Sequence, residues 1–447
     1  MASMNIFIMG AGQVGTHLAR ILTEEGHDVT VVEINPEKVR NLDFALDVRV
    51  VEGSGTSSVL LRELGVDRCD LFVSTSGHDE ANLVAASLAK KLGARKTVAR
   101  IGQHSYYDDA LELASAFHVD RILSPQELTA RQAVSYLEHP GLVTLDDFAG
   151  GLVHAFSFQI DESPWLDKPI SQIQLPEHTL IGLIMRGNDT IIPRGDDQIR
   201  RGDLVTFVGK SHKILAFEDL LKKKLARPNT VTIAGASSVG LFIAQKLEKH
   251  RFSVKLVERD IGRCEEASRL LARTEVINSD ATSMESLKAD GLLNSSVFIA
   301  ATDKDDRNIL AALLGKELGI AHCLAVVRQP DFTVLTGRLG VDHTLIPRAI
   351  FSAHILDMTL SPECLARSVL EKEQAEIMEF VVRDGARISG QLLATAGFPR
   401  GSLMAAIVRQ NKVFIPTGKD SILPRDRVVM IARSAVVQDV LRMFTTS

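Results

Sequence analysis

Short apolar runs alternate along this chain with stretches of helical period, and polar turns separate them. The run from Asn5 to Met9 is rich in β-formers and predicts a strand ending at a glycine turn. Val14, Leu18, Ile21 and Leu22 share one helical face, so a helix is expected from Val14 to about Glu24, stopped by Gly26. Val29 to Val32 predicts a second strand that delivers Glu33 at its end. Asn35-Pro36-Glu37 supplies an N-cap, a first-turn proline and an acidic first turn for a helix running to about Phe44. Further strands are expected over Val48 to Val51, Leu71 to Ser74, Thr97 to Ile101 and Arg121 to Leu123. Helices over Ser58 to Leu64 and Asp79 to Leu92 fall between them. Strands and helices alternating in this way predict an α/β fold with a doubly wound parallel sheet. A long amphipathic helix, Gln126 to Glu138, then leaves the sheet and stops at His139-Pro140-Gly141.

Residues 142 to about 225 follow a different pattern. Strand-like runs (Val153 to Ile160, Thr179 to Met185, Val205 to Gly209) surround turns such as Arg186-Gly187-Asn188, and a final helix ends in Lys222-Lys223-Lys224. This predicts a small α+β module without a phosphate loop. The first pattern then restarts, with strands over Thr230 to Ala234 and Val254 to Val257 and an acid, Glu258, after the second. Ser54 pairs with Asp280, Asn82 with Asn308, Arg100 with Arg328, Pro125 with Pro347, Ile192-Pro193 with Ile415-Pro416, and Asp203 with Asp426, at offsets between 222 and 228. Phe398-Pro399 stands opposite Leu175-Pro176, and Gly418 opposite Gly195. The chain is therefore expected to be a tandem duplication of a Rossmann domain plus a small module. The expected domains are 1–125, 142–226, 229–348 and 368–447, with linkers near 126–142, 222–229 and 348–370.

The candidate chemistry sits at the two restarts. Gly10, Gly12 and Gly15 form G-x-G-x-x-G after a strand and before a helix. The first glycine permits the tight turn, the second lets a pyrophosphate approach the backbone, and the third lets helix and strand pack closely. Gly10, Ala11, Gly12, Gln13, Val14 and Gly15 are expected along a pyrophosphate at the helix N-terminus. Glu33, 18 residues after Gly15, is placed to accept hydrogen bonds from ribose hydroxyls. Ser54, Thr75 and Ser76 end the next strands, and Arg100 is a candidate for phosphate or adenine contact, or else a surface arginine at the sheet edge. The second loop is Gly235, Ala236, Ser237, Ser238, Val239 and Gly240, with Glu258 again 18 residues on and Asp280 as a second polar contact. Ser237 replaces the middle glycine, so a side chain is expected to face the pyrophosphate there, with weaker binding or a smaller nucleotide. Arg259 after Glu258 leaves open a tolerance for a 2′-phosphate, which Glu258 opposes. A glycine turn without a ligand is the alternative for each loop.

The chain has 447 residues, too many for one core, and its 45% hydrophobic and 24% charged content is that of a globular protein. A net charge of −5 speaks against general nucleic-acid binding. Cys69, Cys264, Cys323 and Cys364 are scattered without a C-x-x-C pair, so no zinc site or disulfide framework is expected and a reducing cytosol fits. No apolar run is long enough to span a membrane, and no secretory signal is recognised. Whether the natural start is Met1 or Met4 stays open. The acidic pairs Asp196-Asp197 and Asp305-Asp306 are read as turns rather than cation sites, and His17 as a packed histidine. The Lys222 to Lys224 run is read as a helix C-terminus that complements its dipole, with lipid or partner contact as the alternative.

Several of these stretches together carry a resemblance. G-A-G-Q-V-G at 10–15, Glu33, V-V-E-G-S-G-T at 50–56, Thr75-Ser76, Asp79-Glu80-Ala81-Asn82 and Ala99-Arg100 resemble an RCK (KTN) N-terminal domain. Ile192-Pro193-Arg194-Gly195 and Gly202-Asp203-Leu204 resemble the RCK C-terminal module. Two such pairs in order resemble the tandem RCK regulatory subunits of bacterial Trk-type potassium uptake, over essentially the whole chain. The resemblance implies a cytoplasmic protein, peripheral on the inner face of the membrane, that is not an enzyme. It implies binding of NAD(H), with ATP or ADP as effectors, and control of a separate Trk-type membrane potassium-translocating subunit. Eight RCK units to a ring imply a homotetramer. Two other readings stand beside it. An NAD-dependent oxidoreductase needs a substrate domain and an acid/base group, for which the duplication leaves no unassigned segment. A nucleotide-sensing transcription factor needs a basic helix-turn-helix, which the pattern does not contain.

Overall fold

The computed structural model describes residues 3–138, 142, 144–187, 189–210, 217, 229–289, 292–329, 331–360, 364–369 and 374–445. The His139-Pro140-Gly141 stop, Asn188 and the Lys222 to Lys224 run lie outside them. In chain order the first six strands are β1 (Asn5–Met9), β2 (Asp28–Glu33), β3 (Arg49–Glu52), β4 (Leu71–Ser74), β5 (Lys96–Arg100) and β6 (Arg121–Leu123). They form a parallel sheet in the order β3-β2-β1-β4-β5-β6. Next come β7 (Thr144–Phe148), β8 (Val153–Ile160), β9 (Thr179–Arg186), β10 (Asp189–Ile191) and β11 (Asp203–Lys210), an antiparallel sheet in the order β10-β9-β11-β8-β7.

The plan then repeats. Strands β12 (Thr230–Ala234), β13 (Ser253–Glu258), β14 (Glu275–Asn278), β15 (Val297–Ala300), β16 (His322–Val326) and β17 (His343–Leu345) form a parallel sheet ordered β14-β13-β12-β15-β16-β17. Finally β18 (Cys364–Val369), β19 (Ala375–Val381), β20 (Ser402–Arg409), β21 (Lys412–Phe414) and β22 (Arg427–Arg433) form an antiparallel sheet ordered β18-β19-β22-β20-β21. Strands β4 and β15 are buried along their whole length, as strands covered by helices on both faces must be. The strand Thr144–Phe148 and the helices His104–Asp108 and Ala110–Phe117 were not foreseen.

The duplicated parts associate like with like. Ser3–Glu138 and Arg227–Thr359, the two Rossmann halves, make one compact unit. His139–Ala226 and Leu360–Ser447, the two small modules, make the other.

In the Rossmann unit the two connecting helices are exchanged. The helix Pro125–Glu138 follows the first sheet, yet its Ala130, Ala133, Val134 and Leu137 belong to the core of the second domain, with Phe242, Ile243 and Leu247. The helix Pro347–Asp357 follows the second sheet, yet Phe351 and Ile355 complete the first domain's core beside Leu18, Ala19 and Leu22. Residues 126–138 and 348–357, expected as linkers, are thus core elements of the neighbouring domain. An apolar face can be read from the sequence; the partner that covers it cannot. Polar contacts reinforce the exchange. Glu127, with its side chain 2% exposed, accepts from Arg131 at 2.9 Å and from Lys246 of the second domain at 2.7 Å. Burial pushes the Glu127 carboxyl up, but these two cations outweigh it and hold it below the usual range. Tyr136 stacks on His343 at 4.9 Å, and His104 stacks on Phe242 at 4.5 Å.

In the module unit, Phe148, Val153, Leu183 and Val208 share one core with Ile377, Ala405, Val429 and Ile431. Ile431 packs over Gly182: an added Cβ would lie 2.1 Å from Ile431 Cδ1, and that side chain would have to shift. Glu379 accepts from Ala149 N at 2.7 Å and from Arg427 Nε at 2.5 Å, tying one module to the other. The duplication is also visible in ion pairs: Arg186 with Asp203, and Arg409 with Asp426.

Two outcomes test the exchange. Replacing Phe351, which is fully buried, with Ala is expected to destabilise the Rossmann unit by about 3–5 kcal/mol in denaturant titration, although residue 351 lies outside the first domain's own segment. Burial lowers both His17 (with Arg348 and Arg20 adding to it) and His343 from 6.5 to about 4. Between these values the unfolded chain binds more protons than the folded one, so stability must rise with pH through that window. The unfolding temperature is expected to fall as pH drops from 6.5 towards 4, and His343→Gln is expected to flatten that slope.

Candidate functional site

The two glycine loops leave the sheets at the switch point between β1 and β4, and between β12 and β15. This is where doubly wound sheets form a crevice at the strands' carboxyl ends. Gly10 has φ +100° and Gly235 φ +112°, so both need glycine. A Cβ on Gly15 would stand 1.9 Å from Gly10 O, and one on Gly240 2.1 Å from Gly235 O. Those two glycines serve close helix–strand packing. Gly12 differs, because an added Cβ there meets no atom within 4 Å. Glycine at 12 is not required by the chain's own packing, and the space beside it is open. Gly12 is also the N-cap of the helix Gln13–Glu24 and no side chain caps it, which leaves a helix N-terminus fit for an anion such as pyrophosphate.

Glu33 has a first role in the protein itself. Its Oε2 accepts from Ala11 N at 2.5 Å and its Oε1 from Asn35 N at 2.9 Å, fastening the loop to the end of β2. Glu258 does the same for Ala236 N at 2.9 Å and Asp260 N at 3.0 Å. A carboxylate oxygen keeps a second lone pair, so a ribose contact remains compatible with both. Thr75 lies beneath the loop: it is 3% exposed and its Oγ1 donates to Met9 O and Gly10 O at 3.1 and 3.2 Å. Ser76 and Arg100 meet above it. Arg100 Nη1 donates to Ser76 O at 2.8 Å, while its Nε is buried without a partner. Burial pulls the Arg100 guanidinium below its ordinary pKa, partly countered by Asp79. Ser54 starts the turn after β3, paired with Thr56 Oγ1 at 2.8 Å, and Asp280 starts the equivalent turn by accepting from Thr282.

The second crevice departs from expectation at two points. Ser237 does not face the pyrophosphate position. Its Oγ donates to Ala301 O and accepts from Gly240 N at 3.3 Å, and the residue is 5% exposed. It caps its helix, and the hydroxyl that Thr75 supplies just past the end of β4 in the first repeat comes from the loop in the second. Arg328 is also not the structural counterpart of Arg100. Strand pairing matches Ser74 with Ala99 and Ala300 with Ala325, so Arg100 corresponds to Val326 and Arg328 to Gly102. Both guanidinium groups still reach the same turn, since Arg328 Nη1 donates to Asp303 O at 2.8 Å.

A cavity of about 230 Å³ opens in this crevice, lined by Glu258, Asp280 and a set of charged residues that sequence reasoning passed over: Arg263, Asp303, Lys304 and Arg307. The signal was present as unequal charge between repeats, since Lys304 and Arg307 replace His78 and Ala81. Asp303 accepts from Arg263 at 2.7 Å and from Arg328 at 2.9 Å. Burial raises its carboxyl, but the two arginines prevail and hold it below the usual range. The remaining acidic pairs act on backbone: Asp197 accepts from Arg194 N, and Asp305 from Arg328 N and Gln329 N.

Comparison with known proteins gives this architecture a place. The TrkA-N domain model matches residues 6–125 and again 231–347, and the TrkA-C domain model matches 156–222 and 377–445. A Trk system potassium uptake protein TrkA homolog of Archaeoglobus fulgidus is 33% identical over 446 residues, 99% of this chain and 100% of that protein. TrkA homolog 2 of Methanosarcina mazei is 31% identical over 450 residues, covering 99% and 100% respectively. Among solved structures, the GsuK RCK domain has a TM-score of 0.63 at 17% identity, covering 99% of this chain and 95% of that one. The GsuK channel bound to NAD has a TM-score of 0.64 at 17% identity, covering 99% and 79%. At such identity the likeness is one of fold. With both domain models matched twice, in alternating order, and relatives above 30% identity along its length, this chain belongs to the TrkA family of tandem RCK proteins.

Proposed function

We propose that this chain is the nucleotide-sensing regulatory subunit of a Trk-type potassium uptake system. It binds NAD(H), ATP or ADP in its crevices and biases the opening of a separate membrane potassium-translocating subunit. The observation that carries this reading is the first loop: an uncapped helix N-terminus, a glycine whose side-chain direction is free of protein, and an acid at the end of β2. The names of the full-length relatives and the NAD-bound GsuK channel of the same fold support it. In this reading Gly10 to Gly15 hold the pyrophosphate, Glu33 meets the ribose, and Ser54, Ser76 and Arg100 border the adenine or phosphate. Thr75 supports the loop from below. Glu258 and Asp280 play the matching parts in the second crevice, beside Gly235, Ala236, Ser237, Ser238, Val239 and Gly240.

The subunit works as a homotetramer of eight RCK units on the inner face of the membrane. Among the described residues no helix is long and apolar enough to cross a membrane, so the translocation path belongs to the partner. Val84 and Leu310 support self-assembly. They occupy equivalent places in the helices Asp79–Leu92 and Asp305–Glu317, and both are exposed apolar residues.

Gly12 is the position to test, because it has an ordinary φ of −76° and room for a side chain. Gly12→Asp is expected to leave the fold intact by circular dichroism and to weaken nucleotide binding at the first crevice at least tenfold in calorimetric titration. Nucleotide response of potassium flux in vesicles holding the membrane partner is expected to fall with it. Unchanged binding, or oxidation of NADH by an added carbonyl compound, would count against a sensor and restore the oxidoreductase. Sedimentation is expected to give about four times the 48.8 kDa chain mass, and Val84→Asp with Leu310→Asp is expected to lower it.

A further inference from the structure

The two crevices hold an anion by different means. In the first, recognition lies in backbone: the helix N-terminus at Gly12 carries no side-chain cap. The places matching Arg259, Arg263, Lys304 and Arg307 are taken by Ile34, Lys38, His78 and Ala81. In the second, Ser237 caps the helix and uses one of its N–H groups, while those four cations line the cavity. The second crevice thus adds three side-chain cations, since Lys38 already stands at the place of Arg263, and its helix terminus is capped. Side-chain cations reward ligand charge more than a helix terminus does, because a macrodipole acts as only about half a charge.

Asp303 has no counterpart in the first crevice, where Gly77 stands in its place. Its two carboxylate oxygens are shared between Arg263 Nη1 at 2.7 Å and Arg328 Nη2 at 2.9 Å. Arg263 lines the cavity from the helix Ile261–Leu270 after β13, and Arg328 follows β16 without belonging to the cavity lining, so this one carboxylate links the β13 and β16 sides of the crevice mouth. A carboxylate seated between two guanidinium groups has the charge and bidentate geometry that a phosphate offers.

We propose that Asp303 is a resident anion that competes with ligand phosphates for Arg263 and Arg328 in the second crevice. It occupies Arg263 and Arg328 until a ligand of higher charge density, a nucleoside triphosphate, displaces it. The proposal rests on the nucleotide-binding function argued above and assigns that site its ligand class and the residue that competes for its cations. A diphosphate or a dinucleotide gains less from the two arginines and meets the same competition from Asp303. That competition lowers every affinity alike, so the preference for the triphosphate comes from its greater attraction to the freed arginines. A ligand that frees Asp303 also uncouples the two sides of the mouth.

The test uses the full chain carrying Gly12→Asp, so that the second crevice is read alone, beside the parent chain. ATP, ADP and NADH are titrated calorimetrically into each, with and without Asp303→Asn. ATP is expected to bind at least tenfold more tightly than ADP or NADH when Asp303 is present. Asp303→Asn is expected to tighten ATP at least fivefold and ADP and NADH by no more than ATP, so that the preference is kept or grows. Arg263→Gln is expected to weaken ATP tenfold and to leave NADH within twofold. Asp303→Asn leaving all three affinities unchanged, or weakening them, would overturn the proposal and make Asp303 a structural tie. Binding confined to the first crevice of the parent chain overturns it too, yet leaves the sensor function standing. No nucleotide bound at either crevice removes both.

Discussion

The constraint on which the rest depends is a contact between two backbones. The helix after each glycine loop lies so close to its strand that a single added carbon at Gly15 or Gly240 would fall about 2 Å from the preceding carbonyl. That closeness aims the helix terminus at the end of the sheet and opens the crevice beside it. Glu33 and Glu258 hold the geometry from the other side by fastening loop backbone to the ends of β2 and β13. The same acids are the groups to which the proposed function assigns the ribose, so in that reading support and recognition share one side chain.

The loop-bearing helices also carry the exchange. Gln13–Glu24 packs against Pro347–Asp357 from the second half, and Ser238–Glu248 packs against Pro125–Glu138 from the first. Neither Rossmann core closes on its own segment. Phe351 sits with Leu18 and Leu22, and Leu137 sits with Ile243 and Leu247. The duplicated gene segment is thus not the folding segment. The small modules follow the same logic, since they join each other through one core in which Gly182 makes room for Ile431.

Much of this was legible in sequence, for definite reasons. The strand–glycine–helix–acid order sets its own geometry over some thirty residues, so the local pattern was sufficient to locate both loops and both acids. Tandem duplication was legible because turn residues recur at a near-constant offset, as with Gly195 and Gly418 or Asp203 and Asp426. Four features were not. The apolar stripe of Pro125–Glu138 shows that the helix is covered, but a stripe does not name its partner. Arg100 and Arg328 look paired along the chain, whereas strand register sets them two residues apart in the fold. Ser237 looked like an obstacle to a ligand because side-chain direction is invisible in sequence, and its hydroxyl in fact turns back to cap the helix. Strand Thr144–Phe148 escaped notice because Asp146 and Asp147 interrupt its apolar pattern.

The exchange fixes how the two crevices can communicate. A ligand changes a conformational balance only through a difference in affinity between two arrangements. Here any shift of Gln13–Glu24 on filling of the first loop must move or strain Pro347–Asp357, which is covalently the end of the second domain. A shift of Ser238–Glu248 acts in the same way on Pro125–Glu138, where Glu127 is bound to Lys246. The coupling runs in both directions with equal free energy, as linkage requires. Charge divergence between the crevices then matters more than it would in two independent domains. Two like sites joined in this way respond to one ligand more steeply, whereas two unlike sites compare one ligand with another. Under the proposed nucleotide reading, Asp303 in place of Gly77, and a capped helix beside added cations in place of a free helix terminus, make the two crevices unlike sites of this kind.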